Sequence, residues 1–382
     1  MDRLTHVLAR WEALERPFRA LPRWGAAMLL LLLLAALVWS SFAVADLTGL
    51  RNRHGAAATR QASTGQASGG GTGDLALYER INRRMEQGEG YYQAALAEQR
   101  THNYPTIPFV TVRTPIMAWG SLLFGQLGWR IIAAALLIAT TFAWVAALQG
   151  RVSSTERALA ALLVFTAGTG AFLERVGLLH DLVAGLSLSL ALGLYRPHRW
   201  WPSWLAASAA LAIRELALPF VLLWAAMALV RRNWGEFAAL AVLLALFALG
   251  MALHASAVMA ERLPGDLPSQ GWDAMLGPAL FLSSLAEVAP PLPLLPPGVA
   301  GPLALLPLAG WMGLGGRIGL TASLWFAGFA LAMALFARAT NFYWVLLVLP
   351  AYAAGMALTP RAIADLVAAV LGRGLAQRQT RG

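Results

Sequence analysis

Carboxylates, arginines and a histidine recur in the short polar joints between the long apolar segments of this chain. A carboxylate can accept a proton from a hydroxyl as a general base, and an arginine can hold an anionic group through two parallel hydrogen bonds. Ionisable groups near a bilayer are costly unless they are paired or hydrated, so each is a candidate for function. The candidates for binding a substrate are Arg113, His180, Asp181, Arg214, Glu215, Arg338, Asn341 and Tyr343.

Asp74 is the first candidate for a general base. It stands at the start of a predicted helix, after a segment rich in small and polar residues. Its alternative role is that of a simple helix N-cap, because aspartate side chains cap helices well. Asp46, at the outer end of the first predicted membrane helix, is the second candidate for the base.

Arg214 and Glu215 interrupt the apolar stretch 202–230. One straight helix of that length would measure roughly 44 Å at ~1.5 Å per residue, well beyond the thickness of a bilayer core. The sequence therefore predicts two short passes or a hairpin, with Arg214-Glu215 at the outer turn. A charged pair at such a turn favours a function, and we expect Arg214 to bind an anionic group.

Several further residues are secondary candidates, since each also has an ordinary structural role. They are Glu174, Arg175, Tyr91, Tyr92 and His102. The two charges flank the same predicted turn as His180-Asp181, where they form either a structural ion-pair cluster or part of a site. The two tyrosines either stack against a sugar or lie as interfacial aromatics. Arg338 is either a phosphate ligand or a side chain that snorkels from a helix end.

The composition predicts a membrane protein. Of the 382 residues, 58% are hydrophobic and only 13% are charged, which is too little polar surface for a soluble protein of this size. About ten apolar segments are long enough to cross or enter a bilayer as helices, and they lack the alternation of a membrane barrel. We therefore predict an all-α polytopic protein with about ten transmembrane or re-entrant helices and a helical extracytoplasmic first loop.

Arginines dominate every second joint between the apolar segments. This set comprises Arg151, Arg157, Arg196, Arg199, Arg231, Arg232, Arg317 and Arg361. Positively charged loops stay on the cytoplasmic side of a membrane. The pattern accounts for most of the net charge of +10 without invoking nucleic acid. It predicts cytoplasmic termini and places the mixed polar joints together on the opposite face.

The predicted divisions of the chain follow from these segments. They are a cytoplasmic amphipathic segment (1–24), a first transmembrane helix (25–45), an extracytoplasmic loop with a flexible tether and surface helices (46–115), a multi-helix membrane domain (116–361) and a cytoplasmic tail (362–382). Ala43-Val44-Ala45 is similar to a signal-peptidase site, but the polar lead and the apolar run are longer than in a typical signal peptide. We therefore interpret that segment as an anchor.

Within these divisions, the sequence predicts the form of three further segments. Residues 116–129 are apolar but short, which indicates a re-entrant or interfacial helix. Residues 258–298 are rich in proline and are predicted to be a loop. Residues 342–359 are predicted to be the last membrane helix, with Arg361 at its cytoplasmic end.

Other types of site lack the necessary residues. The chain has no cysteine, which excludes disulfides, zinc–thiolate sites and cysteine nucleophiles. It also has no phosphate-binding loop, dinucleotide fingerprint, nucleophile elbow or paired-histidine zinc motif. No cofactor is indicated, and the scattered acids are compatible with a divalent metal but specify no ligand set.

Several stretches resemble the polytopic glycosyltransferases of the GT-C fold. They are GDLALYERINRRMEQGEGYYQAA, YPTIPFVTVRTP, HDLVAGLSLSLALGLYR, IRELALPF and RATNFYW. The resemblance implies a bacterial inner (plasma) membrane enzyme that uses a polyprenyl-phosphate-linked sugar donor on the extracytoplasmic side. It also implies that Asp74 is the base and that Arg214, Arg338 or Arg113 holds the donor phosphate.

Two other classes of protein fit the same layout. One is a lipid flippase or small-solute transporter, which should place its polar residues near the bilayer midplane with access from both sides. The other is a non-catalytic assembly partner of a membrane complex. The polar residues of this chain gather at one predicted end under a large outer loop, which favours the enzyme.

Overall fold

The computed structural model describes residues 2–63 and 73–372. These residues are about 80% helical and form no β-strand. Six of the described helices are long and apolar enough to cross a membrane. The prediction of an all-α, multi-pass membrane protein is therefore confirmed, whereas the count of about ten transmembrane or re-entrant helices stays a prediction.

The described chain forms fourteen α-helices in sequence. Their bounds are α1 Asp2–Ala13, α2 Arg23–Ser63, α3 Asp74–Glu86, α4 Tyr91–Thr101, α5 Ile116–Leu148, α6 Ser154–Ala167, α7 His180–Leu194, α8 Trp201–Ile213, α9 Leu218–Val230, α10 Trp234–Ala260, α11 Ala279–Val288, α12 Pro297–Leu314, α13 Gly316–Phe336 and α14 Leu349–Val370. Short 3₁₀ segments join several of them, including Glu215–Ala217 and Ala339–Leu347.

Two breaks lie where charge or glycine interrupts an apolar run. Helix α5 contains Gly125 in a non-helical conformation with φ of 64° and ψ of −175°. This break divides the short segment predicted at its start from the longer crossing that follows. Arg214 lies between α8 and α9 in an extended conformation, so 202–230 forms two short helices, as its length predicted.

The N-terminal region is more helical than the sequence predicted. Helix α2 continues from Arg23 to Ser63, so Asp46 lies within the helix as an exposed side chain instead of at its end. The expected tether over 55–73 is therefore helical in its first part, where alanines favour helix. Its remainder, 64–72, lies outside the described residues.

The predicted loop and the predicted last membrane helix both differ from the structure. The loop over 258–298 contains α11, which is buried along Leu280–Ala286. Its apolar run is too short to cross a bilayer, and the surrounding prolines indicated a loop. The last segment begins as a 3₁₀ helix at Ala339 and α14 continues past Pro360 to Val370, so Arg361 lies inside α14.

The core depends on close approach between α12 and α14. A side chain at Gly310 would place its Cβ 1.9 Å from the carbonyl oxygen of Gly355 in the facing helix. Trp311 beside this contact is buried, and its Nε1 donates to the Tyr352 carbonyl at 3.2 Å. Small residues let two helix backbones approach each other in membrane bundles, so these glycines fix the spacing.

Replacing Gly310 by alanine is expected to lower the free energy of unfolding by about 1–3 kcal/mol, because the added methyl group overpacks a backbone contact. Denaturant titration in detergent micelles measures the change. Gly328→Ala is the matched control, since a Cβ at exposed Gly328 in α13 meets nothing within 4 Å. Equal destabilisation by both variants would contradict the packing role of Gly310.

The described arginines of the basic joints gather at one end of the bundle, which we call the arginine end. Glu12 of α1 accepts hydrogen bonds there from Arg231 at 2.7 Å and from Arg317 at 3.2 Å. Arg361 donates to the Arg151 carbonyl at 3.0 Å. Arg317 begins α13 and Arg338 follows its last turn, so roughly 30 Å of helix separates the two ends.

Candidate functional site

A cavity of about 800 Å³ lies at the end of the bundle opposite the arginine end. Its walls are α3, the segment that follows α4, the α8–α9 junction, the loop after α10 and the 3₁₀ segment after α13. The charged and polar residues that line it include Asp74, Tyr78, Arg113, Arg214, Glu215, Arg338, Asn341 and Tyr343. Aromatic side chains complete the lining, namely Tyr104, Trp272, Phe336 and Trp344.

Asp74 lies at the start of α3 without capping it. The N-cap position is Gly73, and no side-chain capping hydrogen bond is present. The Asp74 carboxylate instead accepts a hydrogen bond from the Tyr343 hydroxyl at 3.3 Å. Burial raises the pKa of the Tyr343 hydroxyl above its ordinary value, so this group remains a neutral donor at physiological pH.

Arg113 connects the surface helices to the membrane bundle. Its Nε donates to the Tyr78 hydroxyl at 3.0 Å, and its Nη2 donates to the Tyr343 hydroxyl at 3.4 Å. Its Nη1 lies 3.5 Å from Glu215 Oε1. The Tyr343 hydroxyl thus accepts a hydrogen bond from the Arg113 guanidinium and donates one to the Asp74 carboxylate. This chain of hydrogen bonds fixes the position of the base relative to the cation.

Arg214 is held by carboxylates instead of facing the cavity freely. Its side chain is only 1% exposed, and its Nε donates to Asp181 Oδ1 at 2.8 Å. Its Nη1 also donates to Glu215. Two carboxylates therefore neutralise this guanidinium, and the predicted bidentate contact with a substrate anion would have to displace one of them. The geometry favours a structural ion pair at this position.

Arg338 is the cation of the cavity with the least compensation. Its Nη1 donates to the amide oxygen of Gln270 at 2.9 Å, while its Nε lacks a hydrogen-bond partner among the described residues. Among the residues that the structure describes, no carboxylate lies at salt-bridge distance from the Arg338 guanidinium. Asn341 accepts from the Arg338 backbone N–H at 2.9 Å and fixes the turn that presents this side chain.

His180 and Asp181 lie behind the cavity wall and are both buried. His180 Nδ1 lies 3.1 Å from the Leu178 carbonyl, and its ring packs edge-on against Tyr78 with centroids 4.9 Å apart. Asp181 faces Arg214, as described above. Neither lines the cavity, so they support the residues that do.

The secondary candidates lie outside the cavity lining, as does Asp46. Arg175 Nε is 3.6 Å from Glu79 on α3, and Glu174 is exposed. His102 contacts the Glu98 carbonyl at 3.0 Å. The Tyr91 hydroxyl donates to the Arg113 carbonyl at 2.6 Å, and the Tyr92 hydroxyl lies 3.1 Å from His254 Nδ1. The Tyr91 contact fixes the backbone that carries Arg113.

The sequence did not single out several residues that line the cavity. Gln270 and Trp272 lie in a proline-rich loop without periodicity, and no local pattern assigns them to a site. Trp344 directly follows the candidate residue Tyr343, and this adjacency is the one sequence feature that could have indicated its place in the site. Tyr78 lies next to Leu77 in the apolar repeat of its helix, which hides its role, and its hydroxyl accepts a hydrogen bond from Arg113.

An apolar groove of about 550 Å³ adjoins the polar cavity. It lies between α5, α8 and α10 and is lined by residues such as Trp119, Leu243 and Phe247. Thr114, which follows Arg113 in the chain, also lines the groove and donates to the Ala212 carbonyl at 3.1 Å. Consecutive residues therefore face a polar cavity on one side and an apolar groove on the other.

The described residues contain no group of three or more acidic, histidine or cysteine side chains that could hold a metal ion. The site is instead built from ion pairs, hydroxyls and aromatic rings. No protein-family model, curated protein or solved structure matches this chain.

Proposed function

We propose that this chain is a membrane glycosyltransferase with a GT-C-like architecture. It moves a sugar from a polyprenyl-phosphate-linked donor to an acceptor hydroxyl. The observation that carries the proposal is the placement of the Asp74 carboxylate and the uncompensated Arg338 guanidinium on one cavity beside an apolar groove. A base, an anion ligand and a lipid-sized apolar surface are the parts that such a transfer needs.

The reaction is a single displacement at the anomeric carbon of the donor sugar. The acceptor oxygen forms a bond to that carbon while the bond from the carbon to the lipid phosphate breaks. Asp74 takes the proton of the acceptor hydroxyl as general base. Arg338 stabilises the charge that develops on the departing phosphate, and Arg113 adds positive potential from the cavity wall.

The remaining lining suits a lipid-linked sugar. Tyr104, Trp272 and Trp344 offer aromatic faces against which the apolar side of a sugar ring packs. The polyprenyl chain lies in the apolar groove, and its phosphate passes Thr114 to reach the polar cavity. This route uses the proximity of the two surfaces, to which the consecutive residues Arg113 and Thr114 contribute.

The proposed orientation follows from the arginine end. Because basic joints remain on the cytoplasmic side, the polar cavity opens on the extracytoplasmic side of the bacterial plasma membrane. A transporter would need access to its site from both sides near the midplane. The candidate cavity lies at one end of the bundle and is covered by α3 and α4, which supports transfer over transport.

Turnover of a labelled polyprenyl-phosphate sugar by the purified protein tests the proposal. Arg338→Gln is expected to raise the KM for the donor about tenfold to hundredfold, because a charge-assisted hydrogen bond contributes about 1.5–3 kcal/mol. Arg262→Gln is the matched control, since Arg262 is an exposed arginine near the same end that does not line the cavity. Donor movement across the bilayer without transfer would support a flippase instead.

A further inference from the structure

A second polar cavity, of about 520 Å³, lies at the arginine end and plays no part in the proposed transfer. Three elements bring arginines to it. Arg151 comes from the turn between α5 and α6, Arg196 from the turn between α7 and α8, and Arg317 from the first turn of α13. The acidic residues on its lining are Glu12 and Glu15.

The positive charges of this cavity exceed the carboxylates available to them. Glu12 is already shared by Arg231 and Arg317. Arg196 Nη1 donates only to carbonyl groups, those of Gly193 at 3.1 Å and Tyr195 at 2.8 Å. Within the described residues, neither Arg151 nor Arg196 lies at salt-bridge distance from a carboxylate. Of the two acids on the described lining, Glu15 is exposed and forms no ion pair with Arg151 or Arg196.

Arg151 and Arg196, which have no carboxylate partner among the described residues, also repel each other electrostatically. Partial burial lowers the pKa of Arg196, and the nearby charge of Arg151 lowers it further. Arg151 is exposed and Arg196 is partly buried. Two like charges on one concave surface raise the local positive potential, which favours binding of a negative group.

The backbone accommodates Arg151 at this position. Gly315 and Gly316 both have positive φ, at 70° and 64°. A Cβ at Gly316 would lie only 3.2 Å from Arg151 Nη1. Any larger residue would be strained in that conformation and would crowd the guanidinium. The glycine pair thus lets Arg151 lie against the start of α13 and keeps the cavity open.

We propose that this cavity binds a phosphate group between Arg151 and Arg196. Arginine is suited to this role because its planar donors match phosphate oxygens. The volume falls within the range of small-molecule pockets, so it accommodates a phosphate together with the group that carries it. The phosphate belongs either to the headgroup of an anionic lipid or to a soluble phosphate compound, and both present the same chemistry to the two arginines.

Binding measurements on the full-length protein in lipid nanodiscs test this site. All proteins carry Arg338→Gln, which removes the uncompensated cation of the other cavity. Inorganic pyrophosphate is titrated into nanodiscs of phosphatidylcholine to probe a soluble ligand. Native mass spectrometry after exchange into phosphatidylglycerol probes a lipid ligand. Arg151→Gln and Arg196→Gln are each expected to weaken binding of the recognised probe about tenfold, the loss of one charge-assisted contact.

Arg199→Gln is the matched control. Arg199 lies on the same turn as Arg196, but it is exposed and its guanidinium lies over the Trp201 ring at 5.5 Å, outside the cavity lining. Unchanged binding by this variant, with loss in the other two, supports the site, and the probe that binds identifies the source of the phosphate. The proposal is overturned if neither probe binds saturably or if Arg199→Gln weakens binding equally. Neither result depends on whether the protein transfers a sugar.

Discussion

Replacing Asp74 by asparagine is expected to lower turnover about 10²–10⁴-fold, which is the usual contribution of a general base. Asparagine keeps the size and the hydrogen-bonding oxygen of the side chain but cannot accept the proton of an acceptor hydroxyl. The Tyr343 hydroxyl can still donate to the amide oxygen, so the geometry of the site persists. Initial rates at saturating donor and acceptor measure the loss directly.

The same substitution should change stability very little. Asp74 stands in the first turn of α3, where a negative charge typically contributes about 0.3–1 kcal/mol through the helix dipole. No capping hydrogen bond is lost, because the Asp74 side chain makes none. A large loss of turnover with nearly unchanged unfolding therefore separates a chemical role from helix capping.

Glu79→Gln is the matched control for this prediction. Glu79 lies on the same helix, but it faces Arg175 at 3.6 Å and does not line the cavity. Removal of its charge should leave turnover within about twofold, since exposed ion pairs contribute little. Wild-type turnover by Asp74→Asn would contradict the role of Asp74 as base, and an equal loss in both variants would indicate a general effect of charge on α3.

Local physical constraints made much of the fold readable from the sequence. The break at Arg214 was predictable because a charged pair within 202–230 is costly in a bilayer and because one helix of that length is too long. The surface helix α3 was predictable because the apolar residues Leu77, Ile81 and Met85 recur at helical spacing. The grouping of the basic joints followed from the positive-inside rule. Each inference needed only neighbouring residues.

The features that the sequence did not predict depend on contacts between residues that are distant in the chain. The arginine at 214 was predicted to bind substrate because the sequence gives no sign that Asp181, 33 residues earlier, would face it. Trp272 and Gln270 reach the cavity through an irregular loop. Helix α11 is stabilised by burial against α2 and α12, whereas its own length and flanking prolines argue against a helix. Contacts between distant parts of the chain determine these features, and a local sequence pattern does not predict such contacts.

Arg214→Met is expected to lower the free energy of unfolding by about 3–5 kcal/mol, since it leaves a buried carboxylate without its partner. The Arg214 side chain is 1% exposed and that of Asp181 is 9% exposed, so water cannot replace the lost contact. Denaturant titration in detergent micelles measures the effect. Arg338→Gln should be nearly neutral in the same assay, because its charge has no carboxylate to leave unpaired.

A double variant distinguishes a structural pair from a substrate ligand at Arg214. Combining Arg214→Met with Asp181→Leu removes both charges, and replacing a buried pair by apolar residues is often neutral or stabilising. We therefore expect the double variant to regain at least half of the stability lost by Arg214→Met alone. If Arg214→Met instead remains within about 1 kcal/mol of the wild type and raises the KM for the donor more than Arg338→Gln does, Arg214 binds the donor phosphate. The charge of Asp181 would then serve to orient that arginine, and the phosphate would have to displace Glu215 from it.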